Sequence, residues 1–136
     1  MYEIIVATHG FLADSYKDTL SLFVGEESDV VYINLGDQGI DGFEKQAKEK
    51  LSNFMDKKVV VLCDLYKGTP FNVFAKLSFD FPEIEVIGNL TLSLLLDLYL
   101  SKSNSPLESA LSNLENHQLR VFSNELKSVQ DNTDDE

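Results

Sequence analysis

Residues 59–63 read VVVLC, a continuous run of apolar and mostly β-branched side chains. A strand with one face in water alternates apolar and polar residues, whereas a strand of a parallel sheet is covered on both faces and is apolar throughout. Residues 3–7 (EIIVA) and 30–33 (VVYI) form similar runs, and residues 84–87 (IEVI) form a fourth short segment. The sequence therefore predicts four strands that are covered by other elements rather than exposed to water.

Segments with helical spacing separate the predicted strands. Apolar residues recur about every fourth position after the first and second strands, and residues 91–100 after the fourth strand are strongly apolar. After the third strand, Thr69 is the expected N-cap of a helix and Pro70 its first residue, and residues 105–108 (SPLE) carry a similar start signal. This alternation, with a repeat of roughly 25 to 30 residues, predicts a doubly wound, mostly parallel four-stranded sheet with helices on both faces.

The composition narrows the classes of function. A chain of 136 residues suits one domain, because two hydrophobic cores of half that size would each be marginal. With 23 Asp or Glu against 11 Lys or Arg, the net charge of −12 argues against nucleic acid or an anionic membrane as a partner. The single cysteine, Cys63, excludes an internal disulfide and a cysteine-cluster metal site.

Location and domain boundaries follow from the chain ends and from the longest apolar segment. The amino terminus lacks the basic start of a signal peptide, and residues 87–100 are too short to span a bilayer and contain Asp97. We therefore expect a cytoplasmic protein. Residues 1–125 are expected to form its domain, and residues 126–136 an acidic, disordered tail.

Two of the predicted strands end in residues that can carry chemistry. The first ends at Thr8-His9-Gly10 and the third at Asp64. Because strands 1 and 3 are commonly adjacent in a doubly wound sheet, we expect His9 and Asp64 to lie side by side at one edge. A carboxylate that accepts one imidazole N–H fixes the tautomer and leaves the other ring nitrogen free as a nucleophile.

A phosphate cradle is expected beside this pair. Gly68 and Thr69 precede the helix at Pro70, and a helix N-terminus with a nearby hydroxyl suits a phosphate. Taken singly, each feature has an ordinary explanation as a polar loop residue or a helix start. Together they predict a site that carries a phosphoryl group on His9, with no metal or cofactor required.

At these residues the sequence resembles the IIA domain of the mannose family of the bacterial phosphoenolpyruvate:sugar phosphotransferase system (PTS). Residues 4–10 (IIVATHG) are similar to the family's first signature. Residues 64–72 (DLYKGTPFN) are similar to its second, an Asp-rich strand end that runs into Gly-Gly-Ser/Thr-Pro-Phe-Asn. Residues 86–90 (VIGNL) are similar to the segment before the family's fourth helix, and the resemblance runs in register from residue 1 to about residue 115.

The resemblance implies a phosphotransferase function. The histidine that matches His9 accepts a phosphoryl group from the phosphocarrier HPr and passes it to the IIB component, which phosphorylates the sugar entering through the membrane subunits IIC and IID. The aspartate that matches Asp64 orients the histidine, and the residue that matches Thr69 binds the phosphoryl group with neighbouring backbone amides. The other candidates for the phosphate site belong to the same two signatures: Gly10, Lys67, Gly68, Phe71 and Asn72.

The resemblance also implies an assembly and shows two departures. Family members form homodimers, often completed by an exchanged C-terminal strand, which we expect at residues 119–122. Lys67 stands where the family usually has a second glycine. The backbone there is expected either to adopt a left-handed conformation or to bring a cation towards the phosphate, and a solvent-facing side chain is the favoured outcome. Thr91 replaces a common proline and is expected to act as a helix N-cap.

Three other functions compete with this one. A receiver domain is phosphorylated on an aspartate at the position of Asp64, but it needs an acidic pair for Mg²⁺ where this chain has Thr8 and His9. The phosphohistidine domain of the dihydroxyacetone kinase phosphotransfer subunit shares the fold and the early histidine, but lacks residues like 68–72 (GTPFN). A non-catalytic regulatory homologue is disfavoured because His9 and Asp64 are both present.

Overall fold

The computed structural model describes residues 1–26 and 28–114. Strands and helices alternate as predicted, in the order β1 (Tyr2–His9), α1 (Leu12–Val24), β2 (Val31–Leu35), α2 (Gly39–Ser52), β3 (Lys58–Cys63), α3 (Thr69–Leu77), β4 (Ile84–Ile87), α4 (Leu92–Ser101) and α5 (Leu107–Ser112). Within the described ranges, no helix is both long enough and apolar enough to cross a membrane. The strand predicted at residues 119–122 and the tail at 126–136 lie outside the described residues.

The four strands form one parallel sheet in the order β2-β1-β3-β4. The predicted doubly wound α/β fold is therefore confirmed, and all described strand pairs are parallel. In the pairing of β1 with β3, Ala7 lies opposite Cys63. This register brings the residues that follow these two positions, at the carboxyl ends of both strands, to the same edge of the sheet.

Two hydrophobic cores, one on each face of the sheet, explain why the strands are apolar throughout. Ile4 and Val6 of β1 face a core that includes residues of α1, α4 and α5. Ile5 and Ala7 of the same strand face the opposite core, which includes residues of α2 and α3. Successive side chains of a strand point to opposite faces, so every position must be apolar when helices cover both.

The starts of three helices show how the chain leaves the sheet. Helix α3 begins at Thr69, and its N-cap is Gly68 in an extended conformation (φ −74°, ψ 174°), so the prediction of Thr69 as N-cap was wrong by one residue. Thr91 is confirmed as the N-cap of α4, where its hydroxyl accepts the Leu94 amide at 3.0 Å. Before α1, the buried Thr8 hydroxyl accepts the Ala13 amide at 2.7 Å. These bonds fix the helix starts next to the carboxyl edge of the sheet.

Candidate active site

His9 and Asp64 meet at the carboxyl edge of the sheet. The imidazole Nδ1 of His9 lies 3.1 Å from Asp64 Oδ2 and 3.3 Å from Oδ1. The backbone amide of His9 also donates to Asp64 Oδ2, at 3.2 Å. The His9 side chain is 43% exposed, whereas that of Asp64 is 15% exposed. The His9 ring is thus open to solvent, and a largely buried carboxylate holds it in place.

This contact determines which nitrogen of His9 can react. A carboxylate is an acceptor only, so the proton on the neutral imidazole is favoured on Nδ1, where it is donated to Asp64. The lone pair then resides on Nε2. The charge of Asp64 also stabilises the positive charge that the ring gains when Nε2 forms a bond. His9 therefore has the arrangement of an activated nucleophile.

Gly68 lies directly against the His9 ring. A Cβ atom added to Gly68 would stand 2.8 Å from His9 Cε1, and 3.2 Å from both the Cβ and the carbonyl oxygen of Leu65. Only a glycine leaves this space to the imidazole, because real Cβ atoms do not approach carbon atoms so closely. The Gly68 amide donates to the Leu65 carbonyl at 2.9 Å, so it is already engaged in the turn.

Two residues of the predicted site have left-handed backbone conformations. Gly10 has a φ of 56°, and its amide donates to the Leu35 carbonyl of β2 at 2.8 Å. Lys67 has a φ of 67°, and its side chain is exposed. The Asn72 side chain donates to the Lys67 carbonyl at 3.0 Å. Lys67 thus has the left-handed backbone of the first alternative, and its side chain faces solvent, which was the favoured outcome.

Thr69 and Phe71 occupy the first turn of α3 in different environments. The ring of Phe71 is buried and packs against Tyr66, with ring centroids 4.9 Å apart. Phe71 therefore supports the loop from inside rather than presenting its side chain to a ligand. Thr69 is the first helical residue, and within the described ranges its hydroxyl forms no hydrogen bond. Its hydroxyl remains available as a donor at the positive end of the helix dipole.

Other residues shape the site without having been predicted. Gly88, after β4, lies beneath Tyr66, because a Cβ at Gly88 would stand 2.7 Å from Tyr66 Cδ1. Burial raises the pKa of the Tyr16 hydroxyl, and the charge of Asp64 raises it further, which places Tyr16 of α1 within electrostatic reach of the carboxylate. The apolar spacing of α1 indicated only a core position for Tyr16, so sequence carried no signal for this proximity.

Cys63, the last residue of β3, is a structural neighbour of the site. It is fully buried, and burial raises the pKa of its thiol well above the ordinary value, with a further contribution from Asp64. A thiol that stays protonated is a poor nucleophile. The buried thiol of Cys63 therefore supports a structural rather than a catalytic role for this residue.

Exposed apolar side chains lie close to His9 along the chain and in space. Phe11, two residues after His9, is 81% exposed, and Leu12 is 42% exposed. Leu65, which contacts the Gly68 position, is 58% exposed. Several exposed apolar side chains grouped around one site are typical of a surface that meets another protein.

Comparisons with known proteins agree on one family. The model of the family EIIA-man, described as "PTS system fructose IIA component", matches residues 3–115. The mannose-specific EIIAB component of the PTS from Escherichia coli K12 is 26% identical over 105 residues, which are 76% of this chain and 32% of that protein. The chain thus spans about a third of the length of that relative.

Two further relatives are similar over most of their length. The fructose-specific EIIA component of the PTS from Bacillus subtilis 168 is 23% identical over 145 aligned residues, covering 100% of this chain and 99% of that protein. The crystal structure of the phosphotransferase system component EIIA from Streptococcus agalactiae superposes with a TM-score of 0.75 at 29% identity. That match covers 82% of this chain and 88% of the other.

Proposed function

The chain belongs to the mannose-type EIIA family of the PTS, and on that premise we propose that it carries a phosphoryl group on His9, accepted from phospho-HPr and donated to a IIB component. The observation that carries the proposal is the contact between His9 Nδ1 and Asp64 Oδ2 at 3.1 Å. The similarity to mannose-specific and fructose-specific components of the PTS also favours this function over the phosphohistidine domain related to dihydroxyacetone kinase.

The transfer step involves three groups: the imidazole of the donor phosphohistidine, the imidazole of His9 and the carboxylate of Asp64. The lone pair on His9 Nε2 attacks the phosphorus atom of the donor phosphohistidine, and a new P–N bond forms. The P–N bond of the donor breaks, and its electron pair returns to the donor imidazole. The His9 ring then carries a positive charge, which the carboxylate of Asp64 offsets through the Nδ1 proton.

The first turn of α3 is the proposed binding site for the phosphoryl oxygens. Thr69 offers its hydroxyl there, next to Gly68, which contacts the His9 ring position. The positive end of the helix dipole favours a dianionic group at this place. In this proposal Gly10, Phe71 and Asn72 shape the two loops, since their observed contacts are with the protein itself.

The proposed partners approach from the side of His9. Phe11 and Leu65 supply exposed apolar area beside it, and HPr and the IIB domain would use this surface in turn. The net charge of −12 favours partners with basic docking faces. The membrane subunits IIC and IID are then reached only through IIB, and a IIA domain does not itself contact the sugar.

The remaining features of the proposal concern the protein in the cell. We place it in the cytoplasm as a homodimer, with residues 1–125 as the functional domain and residues 126–136 as a tail. The test of function is incubation with phosphoenolpyruvate, enzyme I and HPr, followed by detection of an acid-labile phosphate on His9. Absence of any such phosphate on the wild-type chain would overturn the proposal.

A further inference from the structure

Lys67 has a backbone conformation that its residue type disfavours. Among the described residues it is the one non-glycine with a positive φ, at 67°. The left-handed conformation brings Cβ too close to the carbonyl oxygen, so most side chains avoid it unless the surroundings impose it. Here the Asn72 side chain holds the Lys67 carbonyl at 3.0 Å. A lysine is thus held in place between the end of β3 and the start of α3, at a position that would suit glycine.

The cation of Lys67 has a weak partner. Its Nζ lies 5.5 Å from the centroid of the Tyr66 ring, and it forms no ion pair with a carboxylate in the described ranges. Other lysines do form such pairs in this acidic chain, for example Lys58 with Glu83 at 2.5 Å and Lys102 with Asp29 at 2.6 Å. A cation–π contact at an exposed site is weak, so this ammonium group can move to a stronger anion at little cost.

The position of Lys67 places its backbone next to the proposed phosphoryl site. Its immediate neighbour, Gly68, contacts the His9 ring, since a Cβ there would stand 2.8 Å from His9 Cε1. The four-carbon stem of lysine is flexible, and its ammonium group is a common partner of phosphate. Lys67 is also the lysine that the loop of residues 64–68 contains.

We propose that Lys67 is the cation that pairs with the phosphoryl group on His9, moving to it from the ring of Tyr66. The inference rests on the proposed function, because it requires a phosphoryl group on His9. In the unphosphorylated protein the ammonium group lies over the Tyr66 ring. After transfer, the ion pair favours the phosphorylated form and shifts the phosphoryl equilibrium from HPr towards this chain.

The test compares the wild type with K67Q, K67R and K67G, and with K48Q as a matched control for charge on an exposed face of α2. Phospho-HPr is mixed with each protein, and the distribution of phosphate at equilibrium is measured. We expect K67Q and K67G to shift the distribution towards HPr by about two- to fivefold, as for an exposed ion pair, with K67R and K48Q close to the wild type. Because glycine suits a positive φ, K67G removes the cation without backbone strain.

A second readout separates a charge effect from a structural one. The ³¹P chemical shift of phospho-His9, followed against pH, gives the pKa of the phosphoryl group, which is expected to be higher in K67Q than in the wild type or K67R. If K67Q and K67G match the wild type in both measurements, the role of Lys67 is overturned while the proposed function stands. If the wild type takes up no phosphate at all, the proposed function fails, and this inference fails with it.

Discussion

One carboxylate, that of Asp64, binds two donors of the same residue, the ring Nδ1 of His9 at 3.1 Å and the backbone amide of His9 at 3.2 Å. The first contact sets the tautomer of the ring. The second ties the end of β1 to the end of β3, so that the carboxylate is kept next to the residue whose ring it binds. Asp64 therefore acts on both the position and the reactivity of His9.

Changing Asp64 to Asn is expected to slow transfer from phospho-HPr by about tenfold or more. Asparagine has one acceptor oxygen for two donors, and it lacks the charge that stabilises the phosphorylated ring. The rate is measured by rapid quench with phospho-HPr in excess. Thermal unfolding of D64N serves as the control for folding, and a well-folded variant with the wild-type rate would remove Asp64 from the mechanism.

Changing Gly68 to Ala is expected to displace the imidazole from Asp64 and to lower the transfer rate by about tenfold or more, as for other small misplacements of a reacting group. The reason is the 2.8 Å separation between the added Cβ and His9 Cε1. The backbone itself tolerates alanine, because the φ of Gly68 is −74°. The matched control is G36A, whose Cβ would meet only the Gln38 side chain, at 3.5 Å. Equal rates for the two variants would contradict the packing argument.

Changing Phe11 to Ala is expected to reduce the rate with phospho-HPr by about fivefold, because an exposed aromatic residue beside the site is a typical binding hot spot. The rate with phosphoramidate, a small phosphoryl donor that needs no docking surface, should not change. Leu22 of α1, the helix that follows Phe11, is the matched control, since it is 82% exposed and Phe11 is 81% exposed. A loss that is equal with both donors would assign Phe11 to the reaction centre instead.

Tyr2 is expected to make the fold less stable at high pH. Burial raises its pKa from 10.0 to about 12, and its hydroxyl donates to the Leu98 carbonyl at 2.5 Å. The unfolded chain therefore loses this proton above pH 10, whereas the folded chain keeps it until about pH 12, so stability is present below pH 10 and is lost as pH rises through this window. The loss amounts to about 2–3 kcal/mol.

The check is the free energy of unfolding of the wild type and Y2F between pH 7 and pH 12. Y2F should be about 1 kcal/mol less stable at pH 7, because it lacks the hydrogen bond to Leu98. This deficit should shrink and then reverse above pH 10, since phenylalanine cannot titrate. Tyr16 and Tyr32, whose pKa values are also raised, are present in both proteins and cancel in the comparison. A constant difference across the range would contradict the assignment.

The fold was largely predictable because the apolar pattern of each strand indicates whether one or both of its faces are covered. The continuous runs at residues 3–7 and 59–63 required cover on both faces, and the two cores provide it. The adjacency of β1 and β3 followed from the usual order of doubly wound sheets, and it brought His9 and Asp64 together. The first residue of each helix was harder to predict, as Thr69 shows. The capping residue depends on a backbone angle that the residue type alone does not determine.

The finer features of the site depend on contacts between segments far apart in sequence. Glycine is common just before a helix, so its presence at position 68 did not indicate a contact with His9. Only the distance between a Cβ at Gly68 and the His9 ring shows why a side chain is excluded there. The backbone of Lys67 also depends on its neighbours, because lysine itself disfavours the left-handed conformation that is found there. The proximity of Tyr16 to Asp64 had no signal in the local pattern of α1.

Phosphate incorporation from labelled phosphoenolpyruvate, in the presence of enzyme I and HPr, tests whether His9 carries the phosphoryl group. The chain has two histidines, so H117A is a matched control for H9A. We predict an acid-labile phosphate of one per chain on the wild type and H117A, and none on H9A. Incorporation that persists in H9A, or that is lost in H117A instead, would show that His9 is not the carrier.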